Sequence, residues 1–196
     1  MSGTDSKWAN PTPAGLVALA VATFGFFAKL TGAIEPSGEL ILGLWLIGGF
    51  VIQLCVGLID LKNGNQLGGN TFLYFSAYFM LVSGASMILK FFLNHHGITV
   101  DSRVDGWAWI ALTITVYTWG IGYFKQSIML GLVVACLFVA CPCIALLDLK
   151  VIPAEIAPGF AHIPAYALLT AGLIALYMSA AGNLNHVFGK QILPLK

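Results

Sequence analysis

The residues that could do chemistry are few, and most of them stand where chemistry is hard to build. Cys136, Cys141 and Cys143 fall in one apolar stretch, and Cys141-Pro142-Cys143 has the form of the soft thiolate site that holds copper inside the membrane in copper-pumping ATPases. Such pumps also need a phosphorylation domain and a nucleotide domain, and no segment here has that size or pattern. The expectation is therefore no metal site and no disulfide. Pro142 then kinks a helix, and Cys55 and Cys136 serve as small apolar residues. His95, His96 and His162 fall in expected loops and His186 in the tail, so no pair faces another across a bundle as haem ligation requires. No G-x-S-x-G, H-E-x-x-H or Walker pattern occurs, and no Ser, His and Asp can meet at one depth. The chain does not read as an enzyme, and no cofactor is implied.

Three polar stretches are less ordinary. In Asn10-Pro11-Thr12-Pro13-Ala14-Gly15-Leu16, Asn can cap, Pro is shaped for a first helical turn, and the amides that follow are unpaired. Such a helix N-terminus carries about half a unit of positive charge and attracts a carboxylate; it is equally an ordinary helix start. Gly64-Asn65-Gln66-Leu67-Gly68-Gly69-Asn70-Thr71-Phe72 brings flexible, amide-rich backbone to the start of another helix. The tail, Asn183 to Pro194, gathers further amides at the close of the last helix. All three are expected on one side of a membrane.

That side exists because the elements between these stretches are membrane spans. Of 196 residues, 59% are apolar and 9% charged, with mean hydropathy +0.90; soluble domains carry about 25% charged residues. An ionised side chain at mid-bilayer costs about 2.5 kcal/mol or more, so each long charge-free gap is a candidate span. Such gaps run from Lys7 to Lys29, Glu39 to Asp60, Lys62 to Lys90, Asp105 to Lys125, Lys125 to Asp148 and Glu155 to Lys190. Each holds the roughly 20 apolar residues that a bilayer demands. The expected helices are Pro13–Leu30, Leu40–Ile59, Thr71–Leu89, Val104–Tyr123, Ile128–Leu147 and Ile163–Ala181. Buried helices of a soluble core would need polar outer faces, which the gaps do not supply.

The connections are short, so residues 1–196 are expected to form a single transmembrane domain, and any function must lie inside the bundle. Met1 to Asn10 has no basic n-region and no small-residue cleavage site, so it does not read as a signal peptide. With the N-terminus inside, Lys7, Lys62, Lys125, Lys190 and Lys196 face Lys29, Lys90, Arg103 and Lys150 across the bilayer, and that balance sets no direction. Trp8, Trp107 and Trp109 are expected in the headgroup layer, with Trp45 and Trp119 deeper. The run from Val151 to Pro158 is expected as a loop or interfacial segment. Gly43, Gly48, Gly49, Gly57, Gly120 and Gly122 fall inside expected helices, where small residues admit close packing.

Taken in order, the three stretches resemble the acetate uptake transporter (succinate-acetate permease) family. Its N-terminal signature, Asn-Pro-x-Pro-x-Gly-Leu, is met by residues 10 to 16. The likeness continues through Gly48-Gly49, Gln53, Gly57 and the Asp60-Lys62-Gly64-Asn65 connection, and ends in a Leu-Asn-x-x-Phe-Gly-basic-x-x-Leu-Pro tail. The resemblance implies an all-α integral membrane protein: a six-transmembrane-helix bundle, shaped like bacterial urea and amide channels, in which each protomer of a homohexamer encloses its own pore. It also implies a pore constriction of apolar and aromatic side chains, which ungapped matching places at Leu19, Phe75 and Leu137. The family has Phe and Tyr at the first two of these positions, so this chain lacks one hydroxyl.

Such a ring is a dewetting constriction, which resists hydrated inorganic ions while a small, partly apolar solute passes. The implied substrate is acetate or another small monocarboxylate, with succinate in some members. Its carboxylate is expected to meet Asn10, Thr12, Gln53, Asn65 or Asn185, with Asn70, Thr71, Tyr74 and Tyr78 in reserve. For each of these the alternative use is a cap or an interhelical hydrogen bond. No span holds an ionisable residue near its centre, where pumps and proton-coupled carriers usually place one, so a passive or weakly coupled pathway is the default; together with the resemblance the expectation is a channel or proton symporter in the cell membrane. A channel for neutral solutes such as urea, amides or ammonia is the alternative, and a non-transporting scaffold the third class.

Overall fold

The computed structural model describes residues 8–195. The residues of the N-terminal leader reading up to Lys7, and Lys196 of the charge balance, lie outside this range. The described residues form helices and turns, without strands. In chain order these are α1 (Thr12–Leu30), α2 (Gly38–Lys62), α3 (Gln66–Tyr74), a π-helical segment (Phe75–Val82), α4 (Ser83–His95), α5 (Arg103–Gln126), α6 (Ile128–Asp148) and α7 (Ala157–Phe188). The segment from α3 to α4 is one unbroken rod of 30 residues, so the chain crosses back and forth in six rods. Five of them are long and apolar enough to cross a membrane. The remaining rod, α5, has 24 residues, about 36 Å at 1.5 Å per residue, with Arg103, Asp105 and Lys125 confined to its ends.

The rods are longer than the expected helices. The third begins at Gln66 because Asn65 caps it, its Oδ1 accepting from the Gly68 amide at 3.1 Å. The last begins at Ala157, since Pro158 occupies a first-turn position where its missing N–H is not needed. The connection expected to run to His162 therefore ends earlier, and both His162 and His186 are helical rather than in loop and tail. The last rod stops at Gly189, whose φ of 62° is the left-handed cap that glycine adopts freely.

Around the bundle the order is α5, α6, α7, α1, α2 and the third rod. Backbones approach closely along α2. A Cβ on Gly43 would stand 2.7 Å from the Gly84 carbonyl oxygen, and one on Gly84 would stand 2.6 Å from that of Gly43. A Cβ on Gly57 would likewise stand 2.9 Å from the Gly69 oxygen. Gly48, by contrast, faces open space. Side chains close the seam between the third rod and α5. Tyr74 meets Trp119 edge to face at 5.5 Å, Phe79 meets Trp109 at 5.7 Å, and Lys90 pairs with Asp105.

That packing corrects two expectations for tryptophan. Trp109 is 7% exposed and belongs to the core, because Phe79 offers it an edge-on aromatic partner. Trp45 is 63% exposed on the outer face of α2, where lipid is its solvent. Cys141 is buried, Cys55 is exposed, and all four cysteines are free.

The Gly43–Gly84 contact leaves no room for a methyl group beside a carbonyl oxygen. Gly43→Ala and Gly84→Ala should each destabilise the protein by about 1–3 kcal/mol through overpacking, while Gly48→Ala should not. Thermal unfolding in detergent checks all three.

Candidate functional site

The start of α1, the ends of α2 and α5, the start of α3, the start of α6 and the end of α7 share one face of the bundle. A cavity of about 630 Å³ opens inside that half, within the roughly 300–1,000 Å³ typical of small-molecule sites. Its mouth includes Asn10, Thr12, Asn63, Asn65, Gln126 and Ser127, and all six rods contribute to its wall. The lining residues farthest from that face along their rods include Leu19, Gln53, Phe75, Val116, Leu137 and Met178. These lie 7 to 10 residues inside their rods, about 10–15 Å from the mouth.

Leu19, Phe75 and Leu137 thus meet at the floor of one cavity although 118 residues separate the first from the last. Phe75 is set there by the first turn of the π-helical segment. Its ring stacks on Tyr74 at 4.8 Å. Each of the three is under 9% exposed, so the floor is made of hydrocarbon and aromatic surface.

The polar residues singled out from the sequence divide into two groups. Asn10, Thr12, Gln53, Asn65 and Thr71 line the cavity; Asn70 and Asn185 do not. Asn70 turns its amide back to the Gln66 carbonyl at 2.9 Å, within its own helix. Asn185 ties down the tail: its Oδ1 accepts from the amides of Ile192 (2.6 Å) and Leu193 (2.9 Å), and its Nδ2 donates to the Leu193 carbonyl at 2.7 Å. Asn185 satisfies backbone groups of the tail and Asn70 is engaged within its own helix, so neither turns its amide to a solute. Tyr78 is 57% exposed and points out of the bundle, whereas Tyr74 lines the cavity.

Among the lining residues, several amides are also committed. Asn10 Oδ1 accepts from the Thr12 amide at 3.0 Å. Two buried polar atoms stand apart. Gln53 is 1% exposed; its Nε2 donates to the Gly15 carbonyl at 3.4 Å, and its Oε1 has no partner. Thr71 Oγ1 has no hydrogen bond of ordinary length, and its neighbour is the Tyr123 hydroxyl. An unpaired buried polar group costs about 1–3 kcal/mol, so these two atoms mark where a polar solute gains most.

Asp60, Trp119 and Tyr123 also line the wall, and the sequence reading did not single them out as site residues. Among the described residues Asp60 is the one charged side chain in the lining, and it is 2% exposed. Its Oδ2 accepts from Asn65 Nδ2 at 3.0 Å, and a Cβ on Gly68 would stand 2.9 Å from that oxygen. The carboxylate therefore lies against the first turn of α3, where the helix presents its positive end. The anion at this helix start is the protein's own. The signal for it was a carboxylate within a turn of a span's end, five residues before a capping Asn.

Asn65 serves both the cap and the carboxylate. Asn65→Ala should therefore lower stability by about 1–3 kcal/mol, read as a drop in unfolding temperature in detergent. Asn70→Ala, which removes one exposed bond within a helix, should leave that temperature nearly unchanged.

No protein-family model matches the chain. It is 25% identical over 191 residues, covering 97% of both chains, to a protein described as the succinate-acetate/proton symporter SatP of Escherichia coli K12. The proteins of the same description from Escherichia coli O157:H7 and Shigella flexneri match equally. Among solved structures, that of the bacterial acetate channel SatP superposes with a TM-score of 0.81 at 22% identity, over 97% of this chain and 100% of that one. The chain is a multi-pass membrane protein with the fold of that channel, related along its length to the succinate-acetate permeases that its motifs resemble.

Proposed function

We propose that the protein carries acetate and similar small monocarboxylates across the cell membrane through the central cavity, with Leu19, Phe75 and Leu137 as the constriction. The observation that carries this reading is that these three residues form the floor of a single cavity whose wall toward the mouth adds amide and hydroxyl groups to apolar side chains. An acetate ion matches that gradient, with a carboxylate for the polar wall and a methyl group for the hydrocarbon waist. The likeness to proteins described as an acetate channel and a succinate-acetate/proton symporter supports the same substrate class. No chemical transformation and no cofactor enter this reading, and residues 1–196 act as one transmembrane domain.

Within the cavity Gln53 is the best placed polar contact. Its unpaired Oε1 is an acceptor, which suits the O–H of a protonated carboxylic acid, and an amide turned end for end would offer N–H to the anion. Asp60 adds a second acceptor to the wall. Both favour a solute that enters with its proton, as a symporter or a channel for the acid would require. Thr71 and Thr12 supply hydroxyls along the way, and Asn10 and Asn65 stand at the mouth as caps that a solute passes. The homohexamer that the resemblance implies completes the proposal; native mass spectrometry of the protein with its lipids tests it.

The same wall favours a second reading. With no Lys or Arg among the described residues that line the cavity, a neutral solute such as urea, a short amide or ammonia fits the wall as readily as an anion. Competition between labelled acetate and urea separates the two.

Reconstituted into proteoliposomes, the protein should take up labelled acetate well above empty vesicles, and uptake equal to empty vesicles overturns the proposal. Leu137→Trp should abolish uptake by filling the floor. Gln53→Leu should reduce it about tenfold, the equivalent of one hydrogen bond of about 1.4 kcal/mol, with little change in unfolding temperature.

A further inference from the structure

Below the floor of the cavity, the same helix faces continue and the space between them is filled. On α1, Phe26 follows Leu19 by seven residues. On the third rod, Phe79 follows Phe75 by four. On α5, Trp109 precedes Val116 by seven, and on α6, Cys141 and Ile144 follow Leu137 by four and seven. Spacings of three, four and seven keep residues on one helix face, so each rod that builds the floor also sends a side chain into the core beyond it.

Three of those side chains form an aromatic stack. Phe79, 1% exposed, lies at the junction: its ring is 5.1 Å from Phe26, nearly parallel; 5.4 Å from Phe75, edge to face; and 5.7 Å from Trp109, edge to face. Aromatic pairs at such separations gain about 0.5–1.5 kcal/mol each beyond simple burial. Ile144 and Cys141 are buried at 6% and 2% exposure. None of these residues lines the cavity. The passage is thus open to the face that carries the start of α1 and sealed toward the other.

We infer that Phe79, stacked on Phe26 and Trp109, is a second barrier in the solute pathway, separate from the Leu19–Phe75–Leu137 floor, and that the solute crosses only when Phe79 leaves the stack. This rests on the proposed pathway and adds a gate to it. The backbone that carries Phe79 is suited to the part. Residues Phe75–Val82 are wound in π-helical turns, which are rare, poorly optimised and concentrated at functional sites. Between α3 and α4 they give one rod a place to rewind without breaking the helices on either side. Met80, the next residue, is 0% exposed but packs on α2, its sulfur 3.0 Å from where a Cβ on Gly49 would stand. It is buried in the same segment and lies off the path.

Cys141 supplies a reporter, because its thiol is buried one turn from Leu137 and near the Tyr74 hydroxyl. In a protein carrying Cys55→Ala, Cys136→Ala and Cys143→Ala, Cys141 is the one remaining thiol. In detergent, where both faces are wet, a small charged methanethiosulfonate should modify it slowly. Phe79→Ala should speed that modification at least tenfold, and Phe79→Leu should do so to a smaller degree if the alanine variant does not fold. Met80→Ala, which opens buried space beside α2 instead, should leave the rate unchanged. A Phe79→Leu protein whose Cys141 stays as protected as in the parent, or a Met80→Ala protein that reacts equally fast, overturns the gate. Acetate uptake in the parent together with either result leaves the transport reading standing and the gate refuted. Faster labelling in a protein that takes up no acetate keeps the gate and refutes the substrate.

Discussion

A carboxylate brought to the middle of a bilayer loses its hydration, and the arrangement of this protein answers that cost at every level. The charges are held at the two ends of the rods: Lys29 pairs with Glu39 at 2.9 Å and Lys90 with Asp105, each bond joining two rods at the face opposite the cavity mouth. At the other face, Lys62 lies 4.4 Å over the Trp8 ring, and Asp60 is received by Asn65 and the start of α3. Between these layers the wall is neutral. A pathway built this way cannot hold a bare anion tightly at its waist, so it suits a small solute that brings a methyl group or a proton with it.

The second consequence of a dry interior is that backbone groups at helix ends compete with any solute for polar side chains. Most of the asparagines near the mouth serve the fold. Asn65 caps α3, Asn63 exchanges two hydrogen bonds with the Trp8 backbone, and Asn185 gathers three from the tail. Ser179 does the same between rods, donating to the Pro13 carbonyl at 2.8 Å and fixing α7 to the first turn of α1. What is left for a solute is the remainder, Gln53 Oε1 and Thr71 Oγ1. Sequence composition marks all these residues alike, because an amide that caps and an amide that binds are the same chemical group.

Glycine pairs and aromatic stacks divide the remaining labour. The Gly43–Gly84 and Gly57–Gly69 contacts draw α2 and the third rod together over much of their length. The third rod meets α5 through large side chains instead: Tyr74 on Trp119, Phe79 on Trp109. A seam of side chains can change rotamer, whereas a seam of touching backbones cannot do so without parting the helices. The π-helical segment lies on the rod that has one seam of each kind, so its turns can readjust on the α5 side while α2 holds the rod in place.

The sequence by itself determined the solvent and the count of rods, because the free energy of a charge in lipid and the length needed to span it are local and nearly additive. Through the family resemblance it also offered Leu19, Phe75 and Leu137, which line one cavity. It could not determine how far the rods extend past the expected spans, since capping by Asn65 and Gly189 adds turns that hydropathy does not register. Nor could it assign Trp109 to the core, Asn70 and Asn185 to backbone bonds, or Asp60 to the cavity wall. Those depend on which residues face one another across the bundle. Only the tertiary structure decided that, because a side chain's role in a dry interior is fixed by the partner it meets there, and here the partners lie on different rods, brought together by helix packing.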